Sequence, residues 1–494
     1  MKPRITRRRF LQATAGGAAL AALGGTLGCD PDPSARATAA TSPVGQTWSF
    51  RSRPDLRPPV ITVTTPPRDI APGLVFIAPK SGPEESHPSQ DGCVILDNEG
   101  QPVWLHLLAD ESLDVMNFKL QEYKGETVLT WWVGHHAGSG QGECVICDHS
   151  YREIKRVRAG NGYMADHHEF LITPENTALI TIYHGINMDL TSVGGPVDAK
   201  VLDGIVQEVD IETGEVLFEW HSLDHVELTE HESGFYDHLH LNSIDLFDED
   251  HLIVSSRVTS TVFKISRRTG EIVWRLGGDK SDFEMGPGTR FFYQHDARRH
   301  PGGTISLFDN GSANTTGRSR GAVLGIDEDT MKATLVREYT HPDQLLSATQ
   351  GNVQVLPNGN VFIGWGSSPV ASEFNQDGNL QFEAEFPTES ETYRAFRFPW
   401  KGYPKYAPAI AAESRKDDGV KIYASWNGAT EVATWQVLAG EGPRKLKELA
   451  STPREGFETV ISVNTKEPYV GVKALDASGN VLGSSRAIKP QKSA

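Results

Sequence analysis

Almost no segment of the sequence sustains a 3.6-residue apolar period, and that absence excludes a parallel α/β architecture. Short apolar runs bounded by Gly, Asn, Asp and Thr dominate instead. Cysteine is scarce: of four, Cys29 stands near the N-terminus, and only Cys144 and Cys147 form a C-x-x-C. No second C-x-x-C completes a zinc site. Strand residues three apart face opposite ways, so Cys93, Cys144 and Cys147 are expected to be buried free thiols. Dense basic runs are missing after the first nine positions, and 47 Lys and Arg against 64 Asp and Glu leave a formal charge of −17. That balance sets aside nucleic acid and other polyanions as partners. The soft apolar stretch Ala13–Gly28 is too short and too rich in Gly and Ala for a spanning helix.

What the N-terminus does contain is Thr6-Arg7-Arg8-Arg9-Phe10-Leu11-Gln12 ahead of that stretch, which reads as a twin-arginine export signal over residues 1–28. The mature protein is then expected outside the cytoplasm, at the cell surface, in a periplasm or secreted. Residues 29–46, rich in Pro, Ser, Ala and Thr, have the composition of a disordered tether. Membrane attachment through a lipidated Cys29 and simple cleavage both remain open, because Thr26 stands where a lipidation motif prefers Leu and Leu27 is displaced by one.

Internal repetition is the strongest structural signal. Six segments share a short apolar strand, a polar turn and a second strand: Cys93–Trp104, Cys144–Val157, Ile205–Trp220, Thr261–Trp274, Ala322–Val336 and Glu373–Phe386. Five further hairpins alternate with them: Phe118–Trp132, His168–Tyr183, His240–Arg257, His295–Asn310 and Gly351–Gly366. Two hairpins per unit make a four-stranded blade. The missing hairpin has to be assembled from both ends of the domain, with Gly73–Pro79 supplied early and Tyr393–Phe398 late. The expectation is an all-β protein: a six-bladed β-propeller over 47–403, followed by a fibronectin-III/Ig-like β-sandwich over 404–494, with Trp426 and Trp435 as sandwich core.

Register adds a functional signal. Ten positions separate His168 from Ala178, His295 from Ile305, Phe118 from Val128 and Gly351 from Val361. His240 to Leu252 is two longer, which a longer turn absorbs. Three histidines therefore fall at one depth around the channel. Asn242, two residues on, is expected on the same side as His240, and Arg257 at a similar height. Imidazoles, an amide and a guanidinium suit an anionic, tetrahedral substrate. Zinc is the competing chemistry, but Arg257 would repel a dication, so no metal is expected, with a channel calcium ion left open. Trp131, Trp132, Phe292, Tyr293 and Trp365 are mostly core, and a few at the mouth would favour an aryl group.

These motifs carry a resemblance. Phe50–Pro59, Ala165–Phe170, His240–Asp245, Ser255–Arg257, Glu271–Gly278, Gln294–Asp296, Asn358–Gly366 and Tyr393–Arg397 resemble the arylsulfotransferase-like family, whose characterised bacterial members do not use the nucleotide donor PAPS. The resemblance implies sulfuryl transfer from an aryl sulfate to a phenol through a sulfohistidine, without an organic cofactor. It further implies that His295 is the nucleophile and that His168, His240, Asn242 and Arg257 hold sulfate oxygens or move protons. His167, Trp132, Tyr293 and Trp365 are carried as candidate substrate contacts. Asp166-His167-His168 doubles the histidine, and the register count favours His168 as the inward one. Two other classes stay in play: a propeller that binds an anionic or glycan ligand without turnover, and a quinoprotein suggested by Asp210–Trp220 and Arg268–Trp274. A quinoprotein generally needs about eight blades.

Overall fold

The computed structural model describes residues 47–81, 89–137, 139–228, 235–415 and 419–492. The export motif, Cys29 and the tether lie outside the described residues. Within the compact unit Thr41–Ala494, six antiparallel sheets follow one another along the chain. Blade 1 comprises Leu74–Ser81, Gly92–Leu96 and Pro102–Leu107, completed by the late strand Ser390–Phe398. That strand pairs with Leu74–Ser81, from Leu74 opposite Phe398 to Ser81 opposite Ser390, and it closes the ring. Blade 2 spans Asp114–Val157, blade 3 Phe170–His221, blade 4 Leu241–Gly277, blade 5 His295–Tyr339 and blade 6 Asn352–Glu385. Blades 5 and 6 each gain a short outer strand, Glu284–Met285 and Thr62–Thr65.

Local chemistry explains the repeat. Each blade packs between two others, so both faces of a middle strand are covered and its sequence reads as a continuous apolar run. Gly92–Leu96 and Val370–Phe374 are buried throughout. Five of the six outer-hairpin turns are held by one device: Asp97, Asp148, Asp210, Asp327 and Asn375 each accept backbone N–H groups two to four residues on, and in blade 4 the Ser266 hydroxyl takes that place. Core side chains then lock neighbouring blades face to face. Phe76, Trp104, Phe118 and Trp131 join blades 1 and 2 in one cluster, and each large side chain so buried contributes about 1.5–3 kcal/mol. Cys93, Cys144 and Cys147 are free and buried, and burial raises each thiol.

Residues beyond the ring form two further four-stranded sheets around a shared core that includes Ile422, Trp426, Trp435, Val437 and Val472. Here strands alternate, as in Glu458–Asn464, because only one face is covered. This region is fastened to blades 1 and 2. Asn427 exchanges two bonds of 2.8 Å with the Leu105 backbone, Tyr151 Oη donates to the Gly428 carbonyl, and Phe457 packs on Phe50 with centroids 4.4 Å apart.

Candidate active site

Three chain segments bring the histidines together where inner strands begin. His168 precedes the strand Phe170–Ile172, His240 precedes Leu241–Leu246, and His295 opens His295–His300. Ring centroids lie 4.9 Å apart for His168 and His240 and 6.4 Å for His240 and His295. Tyr393, on the closing strand, stands 5.6 Å from His168 and 6.5 Å from His295. His240, Tyr293, Asp296 and Gln350 all have positive φ, a conformation that non-glycine residues adopt at a cost and that gathers at functional sites.

The three imidazoles have different partners. His168 Nδ1 donates to Asp166, whose other oxygen accepts the Gly140 N–H. His240 Nδ1 donates to Asp237 Oδ2 at 2.6 Å. His295 Nδ1 donates instead to a neutral amide, Asn310 Oδ1, at 2.7 Å, so the proton sits on Nδ1 and the lone pair on Nε2. That lone pair accepts only a long 3.3 Å bond from the Gln350 N–H.

Burial, with Arg257 and His240 adding repulsion, holds His295 well below the ordinary imidazole value. Burial likewise brings His168 down to about 3 and His167 to about 4, against the pull of Asp166. All three are therefore neutral near pH 7. Although burial opposes its ionisation, Asp166 is kept well below the usual carboxylate range by His168 and His167, and Asp237 is kept low chiefly by His240. Arg257 lies over the Tyr293 ring at 5.2 Å and donates to the Ala348 carbonyl at 3.1 Å. Its buried Nε has no hydrogen-bond acceptor among the described residues.

Beneath the imidazoles an ionic network fills the channel. Glu169, fully buried, meets Lys119 at 2.7 Å, Arg394 at 3.2 Å and also Arg298, while Asp296 meets Arg298 at 2.6 Å and Arg394 at 3.1 Å. Four blades thus contribute to one plug directly under His168 and His295.

Several expected positions are corrected by the backbone. A bulge at Leu241–Ser243 breaks the alternation that put Asn242 beside His240. The Asn242 amide instead donates to the Gln294 carbonyl of blade 5 at 2.7 Å, leaving its Oδ1 without a partner among the described residues. Matching bulges at Asn117–Phe118 and Asp296–Ala297 make Met116, not Phe118, the counterpart of His295. His167 packs against His168 at 3.9 Å and Tyr393 at 5.3 Å on one side and against His136 at 4.6 Å and Trp132 at 5.6 Å on the blade 2 side, while His168 faces His240. Trp132 is fully buried, its indole N–H on the Ala165 carbonyl. A Cβ at Gly140 or Gly142 would strike its ring at 2.7–2.8 Å, so Trp132 supports the Asp166 loop and does not line the mouth. Trp365 is core in blade 6, between Phe308, His341 and Phe374. Tyr293, 36% exposed, is the rim aromatic.

Asp237, Asn310, Tyr393 and the Glu169–Arg394 network escaped the sequence reading. A D-x-x-H spacing marks the first. Asn310 stands at the far end of the same hairpin as His295, and the other two depend on contacts between blades.

An arylsulfotransferase (ASST) family model matches residues 119–387, a span that carries His168, His240, Arg257 and His295. The chain belongs to the arylsulfotransferase family. No curated protein matches the sequence. Among solved structures, this family member is similar to a protein of unknown function from Bacteroides caccae, with 14% identity over 66% of this chain and 99% of that one and a TM-score of 0.42. A streptogramin B lyase gives 9% identity over 73% and 94%, with a TM-score of 0.35.

Asp166, His167 and His168 bring three potential metal-ligand atoms within 4.8 Å of one another. Asp166 already accepts from Gly140 and His168, so a cation there would have to displace those bonds.

Proposed function

We propose that this protein transfers a sulfuryl group from an aryl sulfate to a phenol, without PAPS, by two displacements through an N-sulfohistidine at His295. The observation that carries this reading is the division of partners: His240 and His168 are paired with carboxylates, whereas His295 alone is held by an amide. Paired imidazoles suit proton handling. A neutral imidazole with its proton fixed on Nδ1 presents a lone pair to sulfur.

In the first displacement Nε2 of His295 bonds to sulfur as the aryl S–O bond breaks and the electron pair leaves with the phenoxide. The Nδ1–H stays on Asn310, and Arg257, whose Nε lacks a partner, faces the charge on the sulfuryl oxygens. His240, the partly exposed member of the cluster, shares a proton with the departing phenoxide and accepts one from the incoming phenol. The acceptor oxygen then attacks sulfur, the S–N bond breaks and His295 is restored. Tyr293 on the rim offers a ring to the aryl group.

Incubation with p-nitrophenyl sulfate alone, followed by intact-mass analysis, should show one sulfuryl adduct that maps to His295 and is absent from His295→Asn. Nitrophenol release should then depend on a phenol acceptor. An adduct persisting in the variant reassigns the nucleophile, and silence over a broad donor panel leaves a ligand-binding propeller. The Thr6–Gln12 motif supports export by the twin-arginine route and action outside the cytoplasm, and Cys29 is the residue a lipid anchor would use.

A further inference from the structure

The loops that carry the site also wall a second space. A cavity of about 520 Å³ lies between blades 4 and 5. Its lining includes Tyr236 and His238 from the segment leading to His240, Val258–Thr261 directly after Arg257, and Phe291 and Phe292 directly before Tyr293. The Ser260 hydroxyl accepts the Tyr293 N–H at 3.1 Å, which ties the residue under the Arg257 guanidinium to the cavity lining. The Trp-Arg-Leu-Gly-Gly motif shapes the floor. Gly277 and Gly278 have φ of +81° and +66°, and a Cβ on Gly277 would sit 2.4 Å from the Phe291 ring.

Charge distinguishes this space from the rest of a chain that carries −17 overall. Arg275, Lys280 and Arg290 line it against Glu227 and Asp279. Lys280 is paired with Glu227 at 2.9 Å, while among the described residues no ion-pair partner is recorded for the guanidinium of Arg275 or Arg290. Aromatic walls beside two guanidiniums that make no salt bridge among the described residues, of which Arg275, second to Lys280, also helps to keep Glu227 ionised, fit a flat ring bearing an anion.

We propose that this cavity seats the ring and a second, non-reacting anionic group of the aryl substrate, so that the preferred class is a phenol or aryl sulfate carrying a carboxylate away from the reacting oxygen. The assignment rests on the transfer reading of His295. Its test is calorimetric titration of the whole protein with 4-hydroxybenzoate and with phenol, repeated on Arg290→Gln, where the side chain is exposed, and on Arg275→Gln. The carboxylate compound should bind about tenfold more tightly than phenol to the wild type, and that preference should shrink to about threefold or less in either variant. Val258→Trp, which fills the cavity mouth, should weaken both ligands alike. Equal affinities in the wild type, or a preference unchanged in both arginine variants, overturns the proposal. A preference lost in the variants while no donor ever sulfates His295 leaves the anionic-aromatic site standing and removes the transfer reading. An adduct on His295 with no carboxylate preference does the reverse.

Discussion

Replacing Glu169 by Gln tests whether the channel plug is held by charge. The side chain keeps its shape, but Lys119, Arg298 and Arg394 lose the one carboxylate that touches all three. Two acids against three bases become one against three. At an effective dielectric of about 20, charge centres near 4 Å apart attract by about 4 kcal/mol, so three lost contacts come to about 12 kcal/mol before desolvation. Sparing the carboxylate its desolvation returns several kcal/mol, and the net expectation is a loss of about 3–5 kcal/mol, the range for breaking one side of a buried ion pair. Urea unfolding should show this as a lower midpoint with an unchanged slope. Adding Lys119→Met should recover part of the loss, because Lys119 is already pushed down to about 8 by burial and becomes the least supported cation. A Glu169→Gln protein within about 1 kcal/mol of wild type, or a double variant weaker still, would refute the reasoning.

Acid should destabilise the fold early. His167, His168 and His295 have folded values depressed below the unfolded value of about 6.5, so their contribution is intact above that pH and is lost on acidification, each at up to about 1.4 kcal/mol per pH unit. The urea midpoint should therefore fall steadily between about pH 6.5 and pH 4, and a flat profile over that window counts against the buried neutral imidazoles. Asp237→Asn keeps an acceptor for His240 but removes its charge. Turnover with a phenol acceptor should drop about 10²–10⁴-fold with a changed pH profile, whereas a merely structural role predicts lost stability and an unchanged profile. Trp365→Ala should cost about 3–5 kcal/mol of stability and leave acceptor KM alone. Tyr293→Ala, by contrast, should raise acceptor KM with little change in melting temperature.

Blade architecture was legible because it is written locally. The Asp or Asn that caps five of the six outer turns and the apolar runs of middle strands recur with a period that needs no tertiary knowledge, and the same regularity brought His168, His240 and His295 to one place. What failed was counting through irregular backbone. Two residues opposing one at Asn117–Phe118 moved Phe118 into the core, and the bulge at Asn242 gave its amide to the next blade. Aromatic residues misled for a related reason: Trp132 sits in a strand and Trp365 directly after one, in blades whose two faces are both buried, where a large ring says nothing of a mouth. The partners that distinguish the imidazoles were hidden, since Asn310 reaches His295 across fifteen residues and Arg394 reaches Glu169 across 225.

Ring closure carries a temporal consequence. Tyr393 and Arg394 belong to Ser390–Phe398, the last strand to be synthesised in the propeller and the one that pairs with Leu74–Ser81 of blade 1. A nascent chain that has made five blades and every histidine of the cluster still lacks the tyrosine beside His168 and the guanidinium on Glu169. The buried ionic network and the ring are thus completed together, and a shortened chain ending before this strand would leave Glu169 without one of its three cations.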